Sequence, residues 1–294
     1  MADVAVLGTG RMGAAMARRV ALAGHRVRVW NRTAATAHAA IDGLPAGTAT
    51  VAAGAADAVQ GCQVVLCMLA DGAATRDVLL DTQVMAALAD DVVVCDLGTS
   101  GVAAARALAD RLSAAGVRFV DAPVSGSVPA VEAGTLLVTA AGDGAAIQAA
   151  EPVIAAFARR VVRVGDAGAG QAMKLAVNLV VHDLNAALGE SLMLAEKAGI
   201  TREAAYDVLQ DSVVGAPFVT YKRAAFLDPS TPVAMSLGLV LKDLDLIVAL
   251  AAELEVEDPV TLAARARVAA ACEGGLAGAD MAALGRFHGP RPSA

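Results

Sequence analysis

The first half of the chain alternates short apolar runs with longer alanine-rich stretches. The runs are rich in Val and Leu and lie at 4–8, 26–30, 48–52, 64–68, 92–96 and 117–122. Stretches between them, such as 12–24 and 103–116, have helical spacing of apolar residues and end in Gly. Near-continuous apolar runs are typical of parallel strands covered on both faces. The alternation therefore predicts a doubly wound α/β sheet, with further strands at 136–142 and 161–165 flanking a helix at 144–158.

The pattern changes after Gly165, where strand-like runs give way to long helical stretches broken by Gly or Pro. The first of these helices, at roughly 168–197, is apolar on most sides, which is typical of a buried helix. The 294 residues are enough for two hydrophobic cores. We therefore expect a sheet domain over 1–165 and an all-α domain over 166–294, with a disordered tail at 289–294.

Composition and charge narrow the class of protein. The chain is 57% hydrophobic and has a formal net charge of -7, and no run of Lys or Arg occurs in it. Nucleic acid and anionic membranes are therefore not expected as partners. The four cysteines and four histidines lack paired or ligand-like spacing, so neither a disulfide framework nor a metal site is expected. Without a signal-type N-terminus or a membrane-length apolar span, the sequence predicts a soluble, cytoplasmic protein.

A glycine motif follows the first predicted strand and begins the first predicted helix. In LGTGRMG, Gly8, Gly10 and Gly13 have the G-x-G-x-x-G spacing. These glycines permit a tight turn and the close approach of a pyrophosphate to the N–H groups at the helix N-terminus. The motif predicts a Rossmann-type dinucleotide site, in which Arg11 and Met12 lie between the second and third glycines.

The residues after the second strand bear on the choice of dinucleotide. A site for NAD usually has Asp or Glu there, to accept hydrogen bonds from the ribose hydroxyls. This chain has Asn31, Arg32 and Thr33 instead. No carboxylate repels a 2′-phosphate, and Arg32 can pair with one while Thr33 donates its hydroxyl. The sequence therefore favours NADP(H), with NAD(H) possible.

Other candidate residues follow the later strands, where a doubly wound sheet binds its ligands. They are Met68 and Leu69 after the fourth strand, Thr99 after the fifth, and Ser125, Gly126 and Ser127 after the sixth. A Ser-Gly-Ser turn offers hydroxyls and backbone N–H groups that suit a carboxylate. By itself, such a turn is as often an ordinary polar loop.

One lysine interrupts the apolar helix after the domain boundary. Lys174 lies in GQAMKLAVN, with Asn178 one helical turn further on the same face. His182 extends that face by another turn, and we interpret it as a hydrogen-bonded packing histidine. Spacing alone leaves two alternatives for Lys174, a snorkelling interface lysine or a positioned ammonium.

The motifs together identify a family. GTGRMG, DAPVSGS…EAGTL, G-x-x-x-K-x-x-x-N at 170–178 and KDLDL at 242–246 occur in order over nearly the whole chain. In this the chain resembles the β-hydroxyacid dehydrogenases, which include 3-hydroxyisobutyrate, tartronate semialdehyde and 6-phosphogluconate dehydrogenases and the glyoxylate/succinic semialdehyde reductases. The resemblance implies an NAD(P)-dependent oxidoreductase with Lys174 and Asn178 as catalytic residues. It also implies that these two residues and Ser125–Ser127 bind the substrate, and that Lys242, near the start of a helix, contacts the cofactor.

The chemistry of the reaction agrees with these roles. Hydride delivery to a carbonyl builds negative charge on oxygen, which an ammonium can stabilise and protonate. Burial among Met173, Leu175 and Val177 is expected to lower the pKa of Lys174 towards a useful value. Asn178 is expected to hydrogen-bond either the lysine amine or a substrate hydroxyl.

Departures from the family pattern leave the substrate open. Val177 stands where many members have Asn, Met235 stands where Phe is frequent, and Ser127 is common in the glyoxylate-reductase-like branch. With Arg32, this favours an NADPH-dependent glyoxylate or succinic semialdehyde reductase, expected to form a homodimer or homotetramer through its helical domain. The alternatives are an NAD-dependent 3-hydroxyisobutyrate dehydrogenase, an imine reductase, and a non-catalytic dinucleotide-binding scaffold. Relatives of the last two kinds generally lack the helix lysine.

Overall fold

The computed structural model describes residues 1–288 and consists of two compact units, Met1–Lys174 and Leu175 onward. The division falls inside one long helix, α9 (Ala169–Lys197), whose first turns belong to the first unit. The predicted domain boundary at 165 lies a short way before this division and stays a prediction. The tail expected to be disordered, 289–294, lies outside the described residues.

The first unit contains one mixed sheet. Its strands are β1 (Asp3–Leu7), β2 (Arg26–Trp30), β3 (Ala49–Val51), β4 (Val64–Cys67), β5 (Val93–Asp96), β6 (Arg118–Asp121), β7 (Val124–Ser125), β8 (Leu136–Gly142) and β9 (Ala158–Gly165). The order is β3-β2-β1-β4-β5-β6-β8-β7, and β9 pairs with β8. Strands β1 to β6 are parallel, whereas β8 is antiparallel to β6 and β7 and parallel to β9.

Helices cover both faces of this sheet. They are α1 (Arg11–Leu22), α2 (Ala34–Ile41), α3 (Ala55–Val59), α4 (Gly72–Leu79), α5 (Thr82–Ala87), α6 (Val102–Ala114), α7 (Val128–Glu132) and α8 (Gly144–Ile154). Successive residues of a strand point to opposite faces, so Val4 and Val6 of β1 pack in one core and Ala5 and Leu7 in the other. Because both faces are buried, the strands need the continuous apolar runs seen in the sequence. The predicted doubly wound fold is confirmed.

Several boundaries and short elements of the first unit differ from the prediction. Strand β9 begins at Ala158 rather than 161, and α8 ends at Ile154 rather than 158. The early part of β9 carries the exposed Arg159 and Arg160, so it lacks the apolar run of a central strand. The two-residue strand β7 and the one-turn helix α7 were not predicted, because segments this short carry no periodicity.

The second unit is helical. After α9 it contains α10 (Arg202–Asp211), α11 (Pro217–Leu227), α12 (Leu237–Glu253) and α13 (Pro259–Ala271), followed by a π-helix (Cys272–Leu276) and a 3₁₀-helix (Met281–Arg286). Between 175 and 288, the only β pairing is an isolated bridge between Ser236 and Asp280. The predicted all-α character of this part is confirmed. None of the helices in the described part of the chain is long and apolar enough to span a membrane.

In the single chain, helix α9 is covered on only part of its surface, because Val180 and Leu194 are 61% and 73% exposed while Leu192 is fully buried. Its fuller burial, in an oligomer, stays a prediction. The predicted start of the helix at KDLDL was wrong. Helix α12 begins at Leu237 rather than at KDLDL, since the Ser236 hydroxyl accepts a hydrogen bond from the Leu239 N–H at the helix N-terminus. Lys242 thus lies in the second turn.

Candidate active site

Two glycines of the GTGRMG loop are required by the turn itself. Gly8 directly follows β1, has φ +93° and donates its N–H to the Trp30 carbonyl at 2.8 Å. A Cβ on Gly8 would overlap the Met68 carbonyl oxygen, and a Cβ on Gly13 would overlap the Gly8 carbonyl oxygen. Side chains at these two positions would force α1 away from the sheet.

Gly10 has a different reason to be glycine. Its φ of -60° suits any residue, and no atom lies within 4 Å of the position that a Cβ would take. Gly10 is the N-cap of α1, so its missing side chain leaves open the space in front of the helix N–H groups. Arg11 and Met12 are the first residues of that helix. Arg11 is exposed and Met12 is half-buried. This cradle fits a pyrophosphate.

Thr9 was missed in the sequence analysis. It is buried between the glycines, and its hydroxyl has no hydrogen-bond partner among the described residues. A buried hydroxyl usually has such a partner. No feature of the sequence marks Thr9, because the motif leaves this position variable.

Asn31 connects the glycine loop to the turn after β2. Its Oδ1 accepts a hydrogen bond from the Thr9 N–H at 3.2 Å, and its Nδ2 donates to the Thr33 carbonyl at 3.2 Å. Both ends of the amide are thus used within the protein. Arg32 and Thr33 are exposed, so they are the side chains of this turn that face solvent.

Met68 and Leu69 lie beside the glycine loop, as their position after a neighbouring strand predicts. Strand β4 pairs with β1 so that Cys67 is opposite Leu7, which places Met68 next to Gly8. The Leu69 side chain also packs here, 2.9 Å from the position of a Cβ on Gly8. These two residues close one side of the loop.

The loop that carries Thr99 is fixed by two buried polar side chains. Asp96, the last residue of β5, accepts hydrogen bonds from the Gly98 N–H at 3.2 Å and the Ser100 hydroxyl at 2.5 Å. Gln171 of α9 accepts from the N–H groups of Ser100 and Gly101 and donates to the Gly98 carbonyl. Thr99 is half-buried between these contacts. Neither Asp96 nor Gln171 was recognised from the sequence.

The Ser-Gly-Ser turn is held by the sheet on one side and a helix on the other. Ser125 belongs to β7 and is paired with Leu137 of β8. Gly126 has φ +134°, and a Cβ there would lie 2.5 Å from the Leu136 side chain, so a glycine is required. Ser127 is the N-cap of α7, although its hydroxyl does not cap that helix. Both serines are half-buried.

The first turn of α9 is attached to the carboxyl end of β6. The Asp121 carboxylate accepts hydrogen bonds from the N–H groups of Gly168 and Gln171, both at 3.0 Å. A Cβ on Gly170 would lie 2.7 Å from the Asp121 carbonyl oxygen, so the helix touches the strand end. Burial raises the pKa of Asp121, although these hydrogen bonds oppose the shift. Lys174 follows Gly170 by one turn.

The apolar environment expected around Lys174 is only partly present. Leu175 is buried, but Met173 is 41% exposed, and Lys174 and Val177 are half-buried. Neighbours along a helix point in different directions, so adjacency in the sequence did not ensure contact. The expectation that all three apolar residues bury the amine was wrong.

A buried carboxylate in the second unit joins the predicted residues Asn178 and Lys242. The Asn178 Nδ2 donates to Asp243 Oδ2 at 2.7 Å, and the Lys242 Nζ is 3.1 Å from Asp243 Oδ1. His182 Nε2 is 3.6 Å from Oδ2, which is too long for a hydrogen bond. Burial alone would raise the pKa of Asp243, but His182 and Lys242 outweigh it and hold the pKa below its usual value.

These contacts change two expectations. The Asn178 amide donates to a carboxylate of its own unit, a partner that the sequence analysis did not consider. His182 is buried, but neither ring nitrogen has a hydrogen-bond partner within residues 1–288, so it is not the hydrogen-bonded packing histidine that we expected. Asp243 was missed, although its place beside Lys242 in KDLDL could have indicated it.

Metal and disulfide chemistry have no visible site in the described residues. The four cysteines are free thiols, and in residues 1–288 no group of three or more His, Cys, Asp or Glu side chains is placed to hold a metal ion.

Family models match nearly the whole chain. Residues 3–165 match the NAD binding domain of 6-phosphogluconate dehydrogenase, and residues 168–288 match the NAD-binding domain of NADP-dependent 3-hydroxyisobutyrate dehydrogenase. Together with the glycine cradle, this defines an oxidoreductase of the hydroxyacid dehydrogenase type that binds a nicotinamide dinucleotide. The chain belongs to the β-hydroxyacid dehydrogenase family.

Individual relatives agree with this assignment. Over 283 residues the chain is 31% identical to glyoxylate/succinic semialdehyde reductase 1 of Arabidopsis thaliana, covering 96% of each chain. It is 32% identical over 273 residues to the 3-hydroxyisobutyrate dehydrogenase of Pseudomonas aeruginosa, covering 90% of each. The structure of Mycobacterium tuberculosis 3-hydroxyisobutyrate dehydrogenase with L-serine superposes with a TM-score of 0.83 at 30% identity, covering 97% of this chain and 98% of that one.

Proposed function

We propose that the chain is an NADP(H)-dependent reductase of a small aldehyde or keto acid that carries a carboxylate. Glyoxylate and succinic semialdehyde are the first candidates, because Arg32 suits a 2′-phosphate and Ser127 is common in that branch of the family. In the opposite direction, the same site would oxidise the corresponding hydroxy acid.

The proposed cofactor site lies along the carboxyl ends of β1, β2, β4 and β5. Its residues are Gly8, Gly10, Arg11, Met12, Gly13, Asn31, Arg32, Thr33, Met68, Leu69 and Thr99, with Lys242 assigned by the family resemblance. When bound, the reduced nicotinamide supplies the hydride. Arg32 would pair with the 2′-phosphate, whereas the two hydrogen bonds of Asn31 give it the role of holding Arg32 and Thr33 in place.

The proposed substrate site comprises Ser125, Gly126, Ser127, Lys174 and Asn178. The serine turn would bind the substrate carboxylate through hydroxyl and N–H groups. The Lys174 ammonium would stabilise the developing negative charge on the carbonyl oxygen and then give it a proton. In oxidation, the neutral amine would accept the hydroxyl proton.

The observation that carries this proposal is that hydrogen bonds fix the helix turn from which Lys174 projects. Its helix is attached through Gln171 to the Thr99 loop and through Gly168 and Gln171 to Asp121, four residues before Ser125. Ligands of doubly wound sheets bind at these carboxyl ends. A snorkelling surface lysine needs no such anchoring of its helix turn.

NAD-dependent oxidation of 3-hydroxyisobutyrate is the second candidate. Relatives of both kinds are about equally similar, at 31% and 32% identity, so the choice rests on Arg32 and Ser127. An imine reductase and a non-catalytic scaffold are disfavoured by the presence of Lys174.

A substrate screen tests the proposal. Full-length protein is assayed with NADPH and NADH against glyoxylate, succinic semialdehyde and other short aldehyde acids, and with NADP⁺ and NAD⁺ against 3-hydroxyisobutyrate. We expect the highest kcat/KM with NADPH and a semialdehyde or glyoxylate. If NADPH binds but no carbonyl compound oxidises it, the enzyme proposal is wrong.

We also propose a homodimer or homotetramer formed through the helical unit. Apolar side chains are exposed on two of its helices, with Val180 and Leu194 on α9 and Val260 and Leu262 on α13. Exposed apolar surface of this kind is usual at subunit interfaces. Light scattering coupled to size exclusion would report the mass, and a monomer at micromolar concentration would contradict the proposal.

A further inference from the structure

We propose that Gln171 is a positioning residue that holds the Thr99 loop against the helix turn carrying Lys174. This inference rests on the proposed roles of Thr99 and Lys174. The side chain of Gln171 is hydrogen-bonded to the backbone of the Thr99 loop, so it would act through the backbone that carries Thr99 and Lys174.

The side chain of Gln171 makes an unusually large number of hydrogen bonds. Its Oε1 accepts from the N–H groups of Ser100 at 3.0 Å and Gly101 at 3.1 Å, and its Nε2 donates to the Gly98 carbonyl at 3.0 Å. Its own N–H donates to Asp121. The side chain is fully buried. The side-chain amide thus makes three hydrogen bonds with the loop around Thr99, two through its oxygen and one through its nitrogen.

Water cannot replace these hydrogen bonds. The N–H groups of Ser100 and Gly101 lie in a buried loop, so removing the amide leaves them without a partner. Gly98 is packed between Leu69 and Asp96, and a Cβ there would lie 3.1 Å from the Leu69 carbonyl oxygen. Loss of the amide would therefore displace the loop that carries Thr99.

The same movement would affect Lys174. Gln171 and Lys174 are three residues apart in α9, hence on adjacent positions of one face. A displacement of about 1 Å at a reacting group lowers the rate by roughly 10²-fold. Gln171 would thus set the distance between the predicted cofactor contact Thr99 and the predicted proton donor.

Two substitutions separate positioning from simple packing. Gln171→Met keeps the length of the side chain but forms no hydrogen bond with the loop. Gln171→Glu keeps an oxygen that accepts from Ser100 and Gly101 but loses the amide N–H that donates to Gly98. A matched control is Asp143→Ala, which removes the N-cap bond to the Ala146 N–H of α8 and lowers stability. Asp143 suits this purpose because it is not one of the predicted cofactor or substrate residues; it directly follows β8, whose Gly142 pairs with Val120 of β6.

The experiment measures kcat, KM and NADPH affinity well below the melting temperature of each variant. We expect kcat to fall about tenfold to hundredfold in Gln171→Met, with NADPH affinity changed less than about threefold, and to recover in part in Gln171→Glu. Asp143→Ala should keep normal kcat despite its lower stability. Normal kcat in Gln171→Met, or equal losses in Gln171→Met and Asp143→Ala, would overturn the inference.

Hydrogen exchange provides a readout that does not depend on activity. The Ser100 and Gly101 amides should exchange slowly in the wild type and in Gln171→Glu, and rapidly in Gln171→Met. If the wild type reduces no carbonyl compound, the proposed function is wrong. The exchange pattern would still show whether Gln171 holds the loop through its hydrogen bonds to Ser100 and Gly101. If Gln171→Met does not fold, Gln171→Glu is decisive: its Ser100 and Gly101 amides must stay protected. Rapid exchange there would overturn the inference.

Discussion

Asn178 donates its side-chain N–H to Asp243 Oδ2 at 2.7 Å, and the same carboxylate is ion-paired with Lys242. The asparagine of the G-x-x-x-K-x-x-x-N motif and the lysine of KDLDL therefore share one buried acceptor. Neither motif implies this connection by itself. Within the second unit, the Asn178–Asp243 hydrogen bond joins α9 to α12.

Removing the Asn178 amide should destabilise the protein through Asp243. We expect Asn178→Ala to lower the free energy of unfolding by about 1–3 kcal/mol, because a buried carboxylate oxygen loses its donor. Urea denaturation measures this loss. In an Asp243→Ala background the same change should cost much less, and an equal cost in both backgrounds would show that the two residues are not coupled.

Lys174 is predicted to act on turnover rather than on cofactor binding. We expect Lys174→Ala to lower kcat by about 10²–10⁴-fold, the usual contribution of a general acid, with little change in NADPH affinity. Lys197→Ala is a matched control, because Lys197 is an exposed lysine at the far end of the same helix. A near-normal rate for Lys174→Ala would remove this lysine from the mechanism.

Arg32 is predicted to select NADPH over NADH. A charge-assisted contact with the 2′-phosphate contributes about 1.5–3 kcal/mol, so Arg32→Ala should weaken NADPH by roughly tenfold to a hundredfold. NADH affinity should change little. Isothermal titration with both nucleotides tests this, and Arg111→Ala on the exposed last turn of α6 is the control. Equal losses for the two nucleotides would contradict a role in selection.

Asp121 should make stability depend on pH. Its pKa in the folded protein is raised, so the folded state binds a proton more tightly than the unfolded chain. The stabilisation is fully present below the unfolded value of about 3.9 and is lost as pH rises through the folded value. Asp121→Asn should remove this decline, as measured by urea denaturation at a series of pH values. An unchanged pH slope would argue against the raised pKa.

The features that could be predicted from the sequence are those encoded by neighbours along the chain. The central parallel strands β1, β4, β5 and β6 are buried on both faces, so their apolar runs mark them directly. The GTGRMG spacing likewise encodes a local turn. By contrast, the first residue of β9 is followed by two exposed arginines, which gave no signal for a strand.

There is a physical reason why the long-range hydrogen bonds of the candidate site could not be predicted from the sequence. Gln171 bonds to residues about seventy positions earlier in the chain, Asp121 to residues about fifty positions later, and Asn178 to a residue 65 positions away. Which buried donors and acceptors meet depends on how the elements pack. A single sequence shows that such groups exist but not which of them pair.

Gly10 and Gly13 should differ sharply when each is replaced by alanine. A Cβ on Gly13 would overlap the Gly8 carbonyl oxygen, so Gly13→Ala must displace α1 and should cost about 1–3 kcal/mol of stability. Gly10 has an ordinary φ and open space around its Cβ position, so Gly10→Ala should melt like the wild type without cofactor. Its methyl group would instead occupy the space in front of α1, and NADPH affinity should fall at least about tenfold. Thermal melts and titration together measure both effects. If Gly10→Ala binds NADPH as tightly as the wild type, the pyrophosphate does not occupy the space in front of α1.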